Sequence, residues 1–210
     1  MKIDILTLFP EMFVGPFDES IISRAHEKGI IDIKIHNLRD WATDNHKTVD
    51  DRPFSGGAGM VLKVDIIDKA LTDLRKDNSK VILLDAGGKI FNQKKAVQLT
   101  HEKHLIFICG HYEGVDHRVH EHLVDEVVSI GEFVLTGGEL PAMTITDAVV
   151  RLLPDVIDPE SLKEESHSKE GYVEYPQYTR PAEYKGWKVP DVLRSGDHGK
   201  IEEWKKENIK

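Results

Sequence analysis

The sequence predicts an α/β fold built on a mainly parallel sheet, and three observations carry that expectation. Strand-like segments take turns with helical ones from the N-terminus to about residue 153, the pattern of a sheet covered by helices on both faces. Two of the strand segments, Val81-Ile82-Leu83-Leu84 and Leu105-Ile106-Phe107-Ile108-Cys109, are apolar at every position, as strands buried on both faces of a parallel sheet are. Glycine-rich stretches follow the apolar runs, where an open α/β sheet places its ligand loops.

Taken in order, residues 2–8 (KIDILTL) alternate and stop at Phe9-Pro10, a first strand. Residues 18–28 have helical character and close on Gly29, and residues 30–37 (IIDIKIHN) alternate again as a second strand. Residues 43–60 are polar and end in Phe54-Ser55-Gly56-Gly57-Ala58-Gly59-Met60, so glycine and proline punctuate them into a loop. A helix is expected over 64–75 and another over 92–100, between the two apolar runs. Residues 115–123 read as a polar helix, 125–130 (DEVVSI) as a further strand, and 141–153 as a strongly apolar helix. Pro141 stands in the first turn of that helix, where a missing N–H costs nothing. Residues 155–175 are polar, charged and without a period, which predicts a linker or mobile loop. The remainder holds a small helical piece, with Ser195 or Asp197 as cap of a last helix over 198–208. The expected organisation is a main domain over 1–158, a flexible linker over 159–175 and a short helical domain over 176–210.

Composition narrows the classes. A chain of 210 residues with 40% hydrophobic content can bury a core. No apolar run approaches the roughly 18 residues of a membrane span, and the opening Met1-Lys2-Ile3-Asp4 is unlike a secretory signal. Cys109 is the single cysteine, so a reducing, cytoplasmic setting is expected. The formal charge of −9 speaks against a generic nucleic-acid coat and predicts weak non-specific RNA affinity. The 11 histidines do not form a zinc pattern: His101-Glu102-Lys103-His104 is not H-E-x-x-H. They are expected on polar helix faces, His117, His120 and His122 on one helix and His101 and His104 at the end of another. Cys109 is expected as a small buried hydrophobe. Trp41, Trp187 and Trp204 are expected to anchor packing rather than to stack on bases.

Three glycine-rich stretches are expected as turns at one sheet edge: Asp85-Ala86-Gly87-Gly88, Gly110-His111-Tyr112-Glu113-Gly114, and residues 129–138, ending in Thr136-Gly137-Gly138. Glycine there lets backbone approach a ligand closely. None has the G-x-G-x-x-G or P-loop pattern.

The run Gly110-His111-Tyr112-Glu113-Gly114-Val115-Asp116-His117-Arg118-Val119 resembles the G-R-Y-E-G-I-D-x-R-V motif of the tRNA (guanine-N1)-methyltransferases. Residues 129–142 (SIGEFVLTGGELPA) resemble their S-I-G-D-Y-V-L-S-G-G-E-L-P-A motif. Residues 8–13 (LFPEMF), residues 48–53 (TVDDRP) with the glycines after them, and Tyr178-Thr179-Arg180-Pro181 are similar to three further motifs of that family. The resemblance runs over essentially the whole chain. It implies a SPOUT fold, with the C-terminal part of the sheet threaded as a deep trefoil knot, and a homodimer whose sites are shared between subunits.

It also implies S-adenosylmethionine as methyl donor, held by Leu83, Leu84, Gly110, Tyr112, Glu113, Gly114, Ser129, Ile130, Gly131, Glu132, Phe133, Val134, Leu135, Gly137, Gly138 and Pro141. A flat apolar slot with backbone hydrogen bonds suits an adenine ring. The acceptor is N1 of guanine at tRNA position 37, beside the anticodon. That nitrogen carries a proton, so a carboxylate base and a cation near O6 are needed. The cation maps onto Arg151. The base falls in Glu164-Glu165-Ser166, on Glu165 or a neighbour; counted without a gap from Gly171 it would fall on Ser166. Asp50, Arg52, Gly56, Gly57, Gly59 and Arg180 are expected to face the tRNA, and Glu113 is a candidate magnesium ligand. The family continues for several helical turns past the point matching Lys210, so a minimal C-terminal domain is expected. Two other readings remain: a non-catalytic SPOUT protein that binds RNA or S-adenosylmethionine, and a SPOUT methyltransferase for another RNA site.

Overall fold

Strand β1 (Lys2–Thr7) lies between β2 (Asp32–Asn37) and β6 (His104–Cys109) and pairs with both in parallel. On the far side of β6 come β5 (Ser79–Ile90) and then β7 (Glu126–Ser129), again parallel. The sheet order is therefore β2-β1-β6-β5-β7. The computed structural model describes residues 1–209. It divides into two compact units, Met1–Ile157 and the chain from Asp158 onward.

Strand alternation sorts the apolar side chains into two cores. Ile3, Ile5, Ile82, Leu84, Leu105, Phe107 and Cys109 face one side, against Ile22 and Ala25 of α1 (Ser20–Glu27), Ala96 and Leu99 of α3 (Gln93–Leu99), and Ala142, Ile145 and Val149 of α5 (Glu139–Val150). Leu6, Val81, Leu83, Ile106 and Ile108 face the other, against Ile66, Ile67, Ala70 and Leu71 of α2 (Val64–Leu74) and Val119 of α4 (His117–His122). Every residue of β6 is buried, which is why its sequence is a continuous apolar run.

Several expectations are corrected. The stretch 85–88 is not a turn, because β5 runs on to Ile90 and its register against β7 shifts between Leu84 and Lys89. Gly88 makes the continued pairing possible: a Cβ there would stand 2.6 Å from the Val128 amide nitrogen. Polar and glycine residues lower strand propensity locally, but pairing to β7 overrides it. Within the expected loop 43–60, Asp50–Asp51 forms β3, antiparallel to β4 (Val61–Leu62). His104 is not on a helix end. It opens β6 and is buried, with Nε2 2.7 Å from Asp4 Oδ2 and Nδ1 2.7 Å from Ser79 Oγ.

The second unit, expected to be helical, also contains a hairpin of β8 (Glu183–Tyr184) and β9 (Trp187–Lys188) ahead of α6 (Asp191–Arg194) and α7 (His198–Asn208). Trp187 is 71% exposed and so anchors no packing. Asp197, not Ser195, caps α7, its side chain accepting from the Lys200 amide. Among the described residues no helix is long and apolar enough to cross a membrane.

Candidate functional site

The carboxyl ends of β6 and β7 and the middle of β5 border a cleft of about 200 Å³. Leu84, Asp85 and Ala86 form one wall, Gly110 to Gly114 the second, and Val128 to Ile130 with Phe133, Leu135 to Gly138 and Pro141 the third. The three glycine-bearing segments thus share one cavity, although the first belongs to a strand.

Two backbone features bind the second and third walls together. His111 pairs with Gly137 across an antiparallel bridge, and the Gly138 amide donates to the Gly110 carbonyl at 2.8 Å. Gly138 must be glycine for a packing reason: a Cβ on it would lie 2.6 Å from Cys109 Cα and 3.0 Å from the Gly110 nitrogen. Both are backbone atoms with no freedom to withdraw. Tyr112 holds φ of 59°, a left-handed conformation that costs a bulky residue about 1–3 kcal/mol and recurs at ligand sites. Its ring is 43% exposed and lies edge-on to His111. The Ser129 hydroxyl closes the third wall by donating to the Gly131 carbonyl at 2.8 Å.

Beneath the cleft lies a buried carboxylate. Glu139, in the first turn of α5, accepts from Thr7 Oγ1 at 2.7 Å and stands 3.9 Å from His111 Nδ1. Burial, with Glu139 as a further negative neighbour, pushes the Cys109 thiol well above its ordinary pKa, so Cys109 is no nucleophile at neutral pH.

Of the expected donor contacts, Leu84, Gly110, Tyr112, Glu113, Gly114, Ser129, Ile130, Phe133, Leu135, Gly137, Gly138 and Pro141 line the cleft. Gly131, Glu132 and Val134 do not line it, and Val134 is 86% exposed. Leu83 is turned the opposite way, into the core under α2 and α4, because it alternates with Leu84 along β5. Asp85, Ala86, His111, Val128 and Thr136 also line the cleft. Asp85, Ala86, His111 and Thr136 belong to the glycine-rich stretches themselves, and Val128 immediately precedes the third.

The 50–62 segment is stitched to the second wall. The Glu113 amide donates to the Met60 carbonyl, and the Leu62 amide to the Gly114 carbonyl, each at 3.0 Å. Gly59 lies against the Glu113 side chain. Arg52, Gly56, Gly57 and Gly59 are exposed on this segment, while Asp50 is half-buried in β3. Arg151 caps the C-terminus of α5, a position that favours a cation. In the second unit, Glu165 is half-buried and its carbonyl accepts from the Ser168 amide at 3.1 Å. The neighbouring Ser166 hydroxyl accepts from the Glu174 amide at 3.0 Å, so it fastens the loop. Arg180 is exposed and borders a groove with Tyr178, Arg194, Trp204 and Lys205. No three His, Cys, Asp or Glu side chains converge as metal ligands among the described residues. Glu113, the candidate magnesium ligand, lines the cleft together with Asp85.

Over residues 1–210 the chain matches the family model described as tRNA (Guanine-1)-methyltransferase TrmD. The chain belongs to that family. Among curated proteins, the tRNA (guanine-N(1)-)-methyltransferase of Dictyoglomus turgidum is 55% identical over 207 residues, 98% of this chain and 84% of that protein. The protein of the same description from Carboxydothermus hydrogenoformans is 55% identical over 206 residues, 98% of this chain and 81% of its own length. That from Bacillus pumilus is 55% identical over 214 aligned positions, 100% of this chain and 88% of its own. The parallel sheet with helices on both faces agrees with the SPOUT class expected of a TrmD family member.

Proposed function

We propose that the protein transfers the methyl group of S-adenosylmethionine to N1 of guanine 37 of tRNA. The observation that carries this reading is the shared cleft at the sheet edge, lined by segments 110–114 and 129–138, in a chain of the TrmD family. The bound donor supplies an already activated methyl group on a sulfonium. The protein's own work is then to position the reactants and to manage one proton.

The cleft fits such a donor in kind. Leu84, Ile130, Leu135 and Pro141 offer apolar surface for a flat heterocycle, and the glycine backbone offers close amides and carbonyls. Asp85 and Glu113 place carboxylates at the same cleft, which favours a cationic ligand. Glu165 accepts the N1 proton as methyl transfer proceeds, leaving 1-methylguanine and the demethylated donor. Ser166 is the weaker candidate, because its hydroxyl already serves the Glu174 amide. Arg151 stabilises the charge that develops on guanine O6. Asp50, Arg52, Gly56, Gly57, Gly59 and Arg180 meet the tRNA.

The same reading includes a second copy of the chain. The cleft of about 200 Å³ is below the roughly 300–1,000 Å³ of ordinary ligand sites. Phe133, Val134, Leu135 and Leu140 leave exposed apolar surface around it, which a partner subunit would cover. It includes the trefoil knot, supported by the tight backbone crossing of Gly138 on Cys109 and Gly110. It also includes a cytoplasmic setting and a division into a catalytic domain, a base-carrying linker over 159–175 and a C-terminal domain from residue 176. The test is methyl incorporation from labelled donor into tRNA transcripts with guanine or adenine at position 37. Incorporation into the guanine transcript alone is expected; equal incorporation into both would move the target elsewhere.

A further inference from the structure

The β8–β9 hairpin carries a surface that the proposed reaction does not use. Its turn is Tyr184-Lys185-Gly186-Trp187, and both central residues have positive φ, 51° at Lys185 and 85° at Gly186. That is the two-residue turn whose twist matches the flanking strands. Tyr184 and Trp187 pair directly across it, so both rings stand on one face, with centroids 5.9 Å apart. Trp187 is 71% exposed and Tyr184 54%. Strands this short do not hold themselves together. The packed part of the hairpin is its base, where the Val189 amide donates to the Ala182 carbonyl at 2.9 Å and both residues line a groove with Leu193 and Trp204. The aromatic tip is therefore not needed as a packing anchor.

Charge is concentrated at the same place. Lys185 Nζ lies 5.3 Å from the centre of the Tyr184 ring. Lysine is ill suited to a left-handed turn position that asparagine or glycine occupies easily, so a cation stands there against conformational preference. Lys188 is drawn toward Glu183 at 3.8 Å. The sequence from Arg180 to Arg194 holds the cations Arg180, Lys185, Lys188 and Arg194 against the carboxylates Glu183 and Asp191, in a chain of net charge −9.

Exposed aromatic faces beside cations hold unpaired bases, since every base has a stacking face and its phosphate suits the cation. The geometry points to the Tyr184–Trp187 hairpin as a stacking platform for an unpaired nucleotide of the RNA substrate, with Lys185 on the adjoining phosphate. This inference rests on the tRNA reading above and gives the second unit a defined contact.

The experiment titrates the full chain with a tRNA transcript while following tryptophan fluorescence. It compares the protein with Trp187→Phe, Trp187→Leu, Tyr184→Leu and Lys185→Asn, each checked for folding by circular dichroism. RNA should quench a component that Trp187→Phe lacks. Trp187→Leu should weaken RNA affinity about ten-fold, within the range that loss of one stacked base gives, and Trp187→Phe should restore most of it. Lys185→Asn keeps the turn and should lower the slope of log affinity against log salt by about one phosphate contact. Affinity for S-adenosylhomocysteine should stay unchanged throughout. RNA affinities within two-fold for both leucine variants, with guanine methylation intact, overturn the platform and leave the methyltransferase reading standing. RNA binding with the Trp187-dependent quench but no guanine methylation defeats the functional reading and leaves the platform standing. A leucine variant that breaks up a self-associated species while binding RNA normally assigns the face to a second copy and overturns the inference.

Discussion

Thr7 Oγ1 donates a 2.7 Å hydrogen bond to Glu139 Oε1 across 132 positions of sequence, joining the carboxyl end of β1 to the first turn of α5 beneath the cleft. The same hydroxyl accepts from the Phe9 amide at 2.9 Å. Both Thr7 and Glu139 are buried, and Glu139 follows directly on Gly137 and Gly138, which form the cleft wall. The bond fixes how the third wall meets the sheet.

Thr7→Val keeps the shape and removes the hydroxyl, leaving a buried carboxylate and an amide short of a partner. Unfolding free energy should fall by about 1–3 kcal/mol, read by urea denaturation. Donor affinity should fall with it, read by calorimetry. Thr7→Ser retains the hydroxyl and should lose much less of both.

Gly138→Ala tests the backbone crossing. Gly138 has φ of −84°, so alanine is conformationally acceptable and only the clash with Cys109 Cα and the Gly110 nitrogen opposes it. A cost of about 1–3 kcal/mol is expected, with donor affinity falling more steeply than stability because the displaced strands are the cleft walls. A variant with unchanged melting temperature and donor affinity would show that the crossing tolerates a side chain.

Asp4 sets an acid limit. It is fully buried, and burial alone would raise its carboxyl, but hydrogen bonds from His36, Lys2 and His104 outweigh that and hold it well below the usual carboxylate range. A depressed folded pKa means that the stabilisation is complete above the unfolded value of about 3.9 and is lost as pH falls below it. Stability should therefore drop steeply below about pH 4. Asp4→Ala should cost about 1–3 kcal/mol at neutral pH, since it leaves the buried His104 ring without its hydrogen-bond partner, and should flatten the acid limb of a melting-temperature profile.

Glu165→Gln and Arg151→Ala separate chemistry from binding. If Glu165 takes the N1 proton, its amide variant should lose at least about a hundred-fold in single-turnover rate with donor affinity unchanged. Arg151→Ala should lose a similar amount, about 3 kcal/mol of transition-state stabilisation. Equal loss of rate and donor affinity in either variant would assign it a structural role. Ser166→Ala, by contrast, should disturb the loop through Glu174 and leave the single-turnover rate unchanged.

The sheet was legible because burial on both faces writes itself as the apolar runs 81–84 and 105–109, and the helices because their apolar positions recur along 64–75 and 141–153. The extension of β5 through Gly87 and Gly88 was hidden, since a strand that pairs on one edge through polar and glycine residues has no periodic signal. The hairpin at 183–188 was hidden for a related reason: two-residue strands cannot show alternation, and Lys185-Gly186 is a weaker turn signal than Asn-Gly. In the site, glycine marked the segments but not their facing. Leu83 and Leu84 stand side by side in sequence, yet only Leu84 reaches the cleft, because neighbours in a strand point oppositely. The Thr7–Glu139 bond left no local trace at all, as its partners meet only through the fold.

The most direct check on the central claim is to react the protein with donor and a guanine-37 transcript, digest the RNA to nucleosides and identify the methylated product and its position by mass spectrometry, alongside the Gly138→Ala variant. The account predicts 1-methylguanosine at position 37, falling together with donor affinity in the variant. Methyl groups on another atom or position, or a variant that binds donor poorly yet modifies the RNA at the normal rate, would contradict it.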